Sequence, residues 1–177
     1  MKILSGMRPT GKLHIGHYEG ALRNWVKLSK KAECFFMVAD YHAITTLDSL
    51  KTIKKDTIEM VADWLATGLD PKKCVIFQQS EVSEHTELAW ILSAVTSYGD
   101  LTRMTQFKEF ARERKGQVSA GLFAYPLLMA ADILLYDTEV VPVGQDQKQH
   151  VEIARETAEK FNWIYGETFK LPAPMIL

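Results

Sequence analysis

The sequence predicts an α/β protein: a Rossmann-like, doubly wound parallel sheet that carries an α-helical insertion. Short apolar runs alternate with segments of helical periodicity from the N-terminus onward, which is typical of βαβ units. The run CFFMVA at 34–39 is apolar throughout, as expected for a parallel strand covered on both faces. The chain has 177 residues, of which 47% are hydrophobic, and this is sufficient for one core.

The first 79 residues are predicted as the first half of the sheet, in the order βαβαβ. In the first helix, Ala21, Leu22, Trp25 and Leu28 recur at three- and four-residue spacing. The second helix is expected to start at a capping Asp48 or Ser49 and to end before Gly68 and Pro71. The expected strands lie at 2–4, 34–39 and 75–77, and the helices at about 15–30 and 48–67.

Residues 80–130 interrupt this alternation and are predicted as the helical insertion. Helical patterns run over 83–97 and 119–135, with a short turn or helix at 99–104 and a densely charged segment at 108–116. The second half of the sheet is expected to begin at 131 and to continue to 177. It should contain a strand at 140–143 and an amphipathic helix at 145–161.

Composition argues against several classes of protein. The net charge of −1 provides no large basic field for nucleic acid, although a local patch remains possible. Cys34 and Cys74 lack metal-ligand spacing and are expected as buried thiols. Neither a signal peptide nor an apolar run of membrane-spanning length is found, so a cytoplasmic protein is expected. Trp25, Trp64 and Trp163 are interpreted as core or near-core residues.

The segment SGMRPTGKLHIGH at 5–17 joins the first strand to the first helix. Ligands of parallel α/β sheets bind at the carboxyl ends of strands, and a helix N-terminus there attracts phosphate. His14 and His17 share one helix face, and Gly16 between them leaves room for close approach of a flat ring. The alternatives are a surface pair of histidines or a metal site, but a third metal ligand is not found nearby.

A second motif, PVGQDQ at 142–147, follows the predicted late strand. Gly144 permits close backbone approach, and Asp146 can accept a hydrogen bond from a sugar hydroxyl. Asp146 can equally cap the helix that follows, and the two roles are compatible.

The segment AYPLLMAADILLY at 124–136 contains a single carboxylate, Asp132, in an otherwise apolar helix. Asp132 either faces solvent, caps a neighbouring element or is buried, and a buried unpaired carboxylate costs several kcal/mol. Tyr125, Met129 and Asp132 lie at i, i+4 and i+7 and form one stripe. We interpret the stripe as a site for a flat, apolar ligand whose single N–H pairs with Asp132.

Nearly the whole chain resembles the catalytic domain of the bacterial tryptophanyl-tRNA synthetases, which belong to class I of the aminoacyl-tRNA synthetases. The HIGH signature of that class is complete here at 14–17. The matching segments are SGMRPTGKLHIGH (5–17), VADYHAITT (38–46), RMTQFKE (103–109), VSAGLFAYPLLMAADILLYDT (118–138) and VPVGQDQKQHVE (141–152).

The resemblance implies a tryptophan–tRNA ligase, which activates L-tryptophan with ATP and transfers it to tRNA(Trp). It implies ATP and Mg²⁺ as substrate and cation, a homodimer, and Trp90, Leu92 and Tyr98 at or near the dimer interface. The implied catalytic residues are Thr10, His14 and His17. The implied ATP-binding residues are Arg8, Pro9, Thr10, Gly16, His17, Gly144, Gln145 and Asp146.

The implied tryptophan-binding residues are Leu4, Gly6, His42, Tyr125, Met129, Asp132 and Gln147. Among them, His42 and Gln147 would lie near the ammonium and carboxylate groups of the substrate. A ligand without the ring N–H would leave Asp132 unpaired and be rejected by about 10⁴. The inserted segment of the family supplies a basic side chain toward ATP, and the candidates here are Lys108, Arg112, Arg114 and Lys115.

Three other functions remain as alternatives. Tyrosyl-tRNA synthetases share the fold but carry glutamine where this chain has Met129. Nucleotidylyltransferases of related fold should lack both the stripe and the inserted helices. A non-catalytic, tryptophan-binding paralogue would bind without turnover.

The chain departs from the family pattern at its C-terminal side. We find no counterpart of the second signature, Lys-Met-Ser-Lys-Ser, or of the anticodon-binding domain. The similar KLSKK at 27–31 lies on the first helix and is interpreted as a solvated helix end. We therefore expect these residues to be a fragment that binds substrate but is catalytically impaired.

Overall fold

The computed structural model describes residues 1–45, 50–104 and 119–176, apart from the side chain of Asp146. It confirms an α/β fold with a parallel sheet, whose strand order is β3-β2-β1-β4-β5 within the described residues. The strands are β1 (Lys2–Met7), β2 (Glu33–Val38), β3 (Val75–Gln78), β4 (Val140–Val143) and β5 (Ala173–Ile176).

Two strands differ from the prediction by more than one residue. β1 continues three residues beyond the predicted end, to Met7, because Ser5 and Gly6 pair with Phe36 and Met37 of β2. β5 was not predicted, since its segment contains Pro172 and Pro174. It lies at the edge of the sheet, where a missing N–H is tolerated.

Helices flank the sheet on both faces, as a doubly wound fold requires. The first, α1 (15–28), consists of consecutive segments, Ile15–His17, Tyr18–Leu22 and Arg23–Leu28, and the middle one is a π-helix. The others are α2 (Asp40–Ile44), α3 (Ile53–Ala66), α4 (Glu84–Ser93), α5 (Tyr98–Thr102), α6 (Ala120–Leu134) and α7 (Lys148–Tyr165). No described helix has the length and apolar character of a membrane span.

Four helices differ from the prediction by several residues, and one of them is α4, which ends at Ser93, four residues before its predicted end. The short helix α2 was not predicted, because five residues are too few to show a helical period. The helix expected from 48 begins at Ile53, and residues 46–49 lie outside the described part of the chain. α7 begins after a 3₁₀ turn at Gln145–Gln147 and extends four residues beyond the predicted end, to Tyr165.

The core has one cluster on each face of the sheet. On one face Trp25 of α1 stacks on Phe36 at 4.6 Å between ring centroids, and Trp64 of α3 meets Trp25 edge-on at 5.0 Å. On the other face Leu4 packs in a cluster with residues of α6 and α7. Trp163, in contrast, is 86% exposed near the end of α7, so its assignment to the core was wrong.

α6 connects the inserted helices to the second half of the sheet. It runs without a break across residue 130 and packs against both α4 and α7. Ser119 caps its N-terminus by accepting a hydrogen bond from the backbone N–H of Leu122 at 3.1 Å. The division into 1–79, 80–130 and 131–177 stays a prediction.

Candidate functional site

A cavity of about 510 Å³ opens at the carboxyl ends of β1 and β4. These strands are neighbours at the point where the strand order reverses, which is where open α/β sheets bind ligands. The sequence-predicted site residues that line the cavity are Leu4, Gly6, Arg8, Thr10, His17, His42, Tyr125, Met129, Asp132, Gly144 and Gln147.

Other predicted residues lie beside the cavity or outside the description. Pro9, His14, Gly16 and Gln145 do not line it. The side chain of Asp146 is not described. Lys108, Arg112, Arg114 and Lys115 lie outside the described residues.

The floor of the cavity includes Gly6, near the end of β1. A Cβ atom at this position would lie 3.2 Å from both the carbonyl oxygen and the Cε of Met37 on β2. Glycine therefore allows β1 and β2 to pack closely where they meet the cavity.

The loop between β1 and α1 turns at Gly11, whose φ of 114° favours glycine. The loop delivers the two histidines of the HIGH motif to the start of α1. Nδ1 of His14 accepts from the backbone N–H of Gly16 at 3.1 Å, and Nδ1 of His17 accepts from that of His14 at 3.2 Å. In each neutral ring Nε2 therefore carries the proton.

His17 is suited to donate this proton in a hydrogen bond within the cavity. Burial, followed by the charge of neighbouring His14, lowers the pKa of His17 from its usual value. The ring is thus mostly neutral near pH 7, with its Nε2–H available to an anion.

Gly16 also makes room for a side chain of the protein itself. A Cβ atom here would lie 2.9 Å from Cε1 and 3.0 Å from Nδ1 of His14. Glycine at this position therefore accommodates the imidazole of His14, which caps α1.

Asp132 is only 1% exposed, as the buried interpretation required. The expectation that a ligand must supply its partner was wrong, because three protein groups already bind the carboxylate. Nε2 of His42 lies 2.7 Å from Oδ2, while Nε2 of Gln79 and Nδ1 of His85 lie 2.8 Å and 2.7 Å from Oδ1. The cost of burying the charge is thus largely offset without a ligand.

The same contacts determine the protonation state of Asp132. Burial by itself raises the pKa of the carboxyl group, but the charge and hydrogen bond of His42 and the hydrogen bond of His85 outweigh it. The net result is a pKa below the usual value. Asp132 is therefore ionised and acts only as an acceptor.

Gln79 and His85 were missed by the sequence analysis. Gln79 directly follows β3, and a polar residue at the carboxyl end of a parallel strand is a detectable signal. His85 gives no such signal, because it lies in the first turn of α4 among the polar residues of that turn. Its burial depends on the packing of α4 against α6.

Tyr125 closes another side of the cavity. Its hydroxyl is hydrogen-bonded to Nε2 of His150 in α7, a contact the sequence did not predict. Burial raises the pKa of Tyr125 to about 12, despite an opposing effect of Arg8. The phenol is therefore neutral at physiological pH.

The chemical character of the cavity differs between its ends. Arg8, Thr10 and His17 supply a cation and hydrogen-bond donors near the start of α1. Met129 and Asp132 supply an apolar surface and a charged acceptor on α6. No group of three potential metal ligands among His, Cys, Asp and Glu occurs within the described ranges.

Comparison with known proteins agrees with this geometry. A sequence model of the "tRNA synthetases class I (W and Y)" matches residues 1–177. The tryptophan–tRNA ligase of Caldanaerobacter subterraneus subsp. tengcongensis is 54% identical over 176 residues, and that of Clostridium tetani is 51% identical over 174. The alignments cover 99% and 98% of this chain, but 54% and 52% of those proteins.

A solved structure is also similar to this chain over the whole length of the chain. The tryptophanyl-tRNA synthetase of Campylobacter jejuni, complexed with ADP and tryptophan, superimposes with a TM-score of 0.93 at 45% identity. The match covers 100% of this chain and 55% of that one. This chain thus spans about half the length of the relatives it matches.

Proposed function

We propose, from the premise that this chain belongs to the class I tRNA synthetases for tryptophan and tyrosine, that it carries the amino-acid activation site of a tryptophan–tRNA ligase. Both curated relatives bear that name, and the Campylobacter jejuni structure contains tryptophan and ADP. The observation that carries the proposal is the buried, ionised Asp132 beside Met129 in a cavity that also reaches His17.

The tryptophan end of the cavity is formed by α6. The indole ring would pack against Met129, where sulfur–aromatic contact adds a modest stabilisation. Its N–H would donate to Asp132, and a hydrogen bond to a charged acceptor contributes about 1.5–3 kcal/mol. Met129 also favours tryptophan over tyrosine, since tyrosyl enzymes of this fold carry glutamine at that position.

The nucleotide end would be formed by the loop before α1 and by Gly144. In the proposed reaction the tryptophan carboxylate attacks the α-phosphorus of ATP, and pyrophosphate leaves. The neutral His17 donates from Nε2 to a phosphate oxygen, while Thr10 and Arg8 stabilise the charge that develops. The terminal ribose hydroxyl of tRNA(Trp) then attacks the carbonyl carbon of tryptophanyl-adenylate, the acyl–phosphate bond breaks, and AMP leaves as the aminoacyl ester forms.

Mg²⁺ would accompany the nucleotide as part of the substrate. It typically keeps several waters and binds phosphate oxygens, with few ligands from the protein. Arg8, Thr10 and His17 line the nucleotide end of the cavity and would contact phosphate oxygens rather than the cation.

The proposed assembly is a cytoplasmic homodimer. Trp90 and Ile91 on α4 and Tyr98 on α5 are 79%, 49% and 74% exposed, and this exposed apolar surface favours an interface that involves the inserted helices. Leu92 is fully buried within its own chain, so it is not part of that surface.

A calorimetric titration with tryptophan and with tyrosine tests the substrate. We expect binding of tryptophan only. Asp132→Asn should weaken tryptophan binding by about 10- to 150-fold, which corresponds to the loss of one hydrogen bond to a charged acceptor.

The matched control is Asp137→Asn. Asp137 is exposed, does not line the cavity and has a φ of 55°, which asparagine also tolerates. It should bind tryptophan as the unmodified chain does, and thermal unfolding would verify that both variants are folded. Preferential binding of tyrosine would contradict the proposed specificity.

A further inference from the structure

We propose that His85 and Tyr136 are positioning residues for ligand selection. They orient Asp132 so that one acceptor position of its carboxylate remains for a ring N–H in the cavity. This inference rests on the proposed function and identifies the groups that make the tryptophan site selective. Neither residue lines the cavity, so both would act through Asp132.

The first step concerns the acceptor positions of Asp132. An ionised carboxylate offers about four, two on each oxygen. Among the described residues, Gln79 and His85 bind Oδ1, while His42 alone binds Oδ2. Both positions of Oδ1 are thus filled, and one position of Oδ2 is left.

The second step concerns the direction of Oδ2. Its partner His42 lines the cavity, whereas Gln79 and His85, the partners of Oδ1, are fully buried and do not. The oxygen with the remaining position is therefore the one on the cavity side of Asp132.

The third step is the proton order along the chain of hydrogen bonds. Nδ1 of His85 is 2.7 Å from Oδ1 of Asp132, and Nε2 of His85 is 2.9 Å from the hydroxyl oxygen of Tyr136. A carboxylate only accepts, so Nδ1 of His85 must carry the proton. In a neutral ring Nε2 then accepts, and the hydroxyl of Tyr136 donates to it.

The fourth step is the rigidity of this arrangement. Phe77 of β3 stacks on His85 with 5.8 Å between centroids, and Phe35 of β2 stacks on Tyr136 with 5.1 Å. Burial, and then the charges of Asp132 and Glu84, raise the pKa of Tyr136 to about 12, so its hydroxyl remains a donor. The sheet thus holds both rings in place.

The consequence is a selectivity that depends on Tyr136. Without its hydroxyl, Nε2 of His85 loses its donor, and only the bond to Asp132 and the stacking on Phe77 still fix the orientation of the ring. Asp132 is then held less firmly, so the bond to a ligand N–H weakens and an analogue without that N–H is penalised less.

The test compares two ligands, tryptophan and its benzothiophene analogue, in which sulfur replaces the ring N–H. The unmodified chain should prefer tryptophan by about 10- to 150-fold, the value of one hydrogen bond to a charged acceptor. Tyr136→Phe, which keeps the stacked ring, should reduce that ratio about 5-fold, corresponding to one neutral hydrogen bond. The control Tyr165→Phe removes a hydroxyl from an exposed tyrosine of α7 and should leave the ratio unchanged.

His85 variants test whether Tyr136 acts through His85. In His85→Asn the amide nitrogen takes the place of Nδ1, donates to Oδ1 and needs no partner in Tyr136. We expect His85→Asn to retain most of the preference, and Tyr136→Phe to have no further effect in that background. The ¹⁵N shifts of His85 should show a protonated Nδ1 and an accepting Nε2 in the unmodified chain, and in Tyr136→Phe the Nε2 shift should change while Nδ1 stays protonated.

The outcomes separate the two proposals. Failure of the unmodified chain to bind tryptophan would reject the proposed function and this inference with it. Normal preference for tryptophan in Tyr136→Phe would reject only the positioning role, as would an equal loss of affinity for both ligands. An effect of Tyr136→Phe that persists in the His85→Asn background would also reject it.

Discussion

At the scale of single residues, contacts determine how the chemistry of a side chain is used. The imidazoles of His14 and His17 are three positions apart, yet they differ in role. His14 lies outside the cavity and caps α1, whereas His17 lines the cavity. In each ring Nδ1 accepts a backbone N–H, so Nε2 is the nitrogen that remains for solvent or a ligand.

Gly16→Ala tests this arrangement. The added methyl group should displace the ring of His14, which would lie within 3.0 Å, and break the cap. If ATP binds only to the capped start of α1, the loss of a cap that contributes about 1 kcal/mol should weaken ATP binding about 5-fold in a calorimetric titration with Mg·ATP.

Gly121→Ala provides the comparison for that experiment. Its Cβ would lie 3.8 Å or more from its nearest neighbours, outside the cavity lining, so ATP affinity should not change. Equal ATP affinities in Gly16→Ala and the unmodified chain would show that the cap does not support the nucleotide site.

At the scale of secondary structure, α6 is the element that carries the stripe. It presents Tyr125, Met129 and Asp132 to the cavity and packs against α4 and α7 on other sides. Pro126 lies inside it and lacks an N–H, so the carbonyl of Leu122 loses its usual helical donor. The orientation of the helix therefore depends on its cap and on its packing.

Ser119→Ala should lower the free energy of unfolding by about 1 kcal/mol, the usual contribution of a serine cap. The change removes the acceptor for the N–H of Leu122 and should be measured by urea denaturation. The control is Ser83→Ala at the start of α4, where the side chain forms no cap hydrogen bond. If both variants unfolded at the same urea concentration, the cap of α6 would not contribute.

At the scale of the whole molecule, two exposed tryptophans identify different surfaces. Trp90 is 79% exposed on α4, within the predicted interface, and Trp163 is 86% exposed near the end of α7. Only Trp90 is expected at the contact of the proposed dimer.

Trp90→Glu should therefore convert the proposed dimer to a monomer, because the charge would be buried without a partner at the proposed interface. Sedimentation equilibrium would measure the mass, with Trp163→Glu as the control that leaves it unchanged. A monomeric unmodified chain, or dissociation by Trp163→Glu alone, would contradict the predicted interface.

The sequence by itself determined the fold class, most of the strands and helices, and the cavity residues near β1 and α6. These features follow from local signals: apolar runs, helical periodicity and the motifs at 5–17, 124–136 and 142–147. Local patterns did not reveal the exposure of Trp163, the strand at Ala173–Ile176 or the helix at Asp40–Ile44. Each of these three features depends on which residues the rest of the chain contacts or covers once it has folded.

Only the tertiary structure decided how Asp132 is paired. Its partners His42, Gln79 and His85 lie 90, 53 and 47 residues away in the sequence. No periodicity or spacing relates groups that distant, because they meet only when the strands are paired and α4 and α6 pack together. From the sequence, a buried carboxylate was expected to need a partner. In the fold, three groups of the protein itself bind the carboxylate of Asp132.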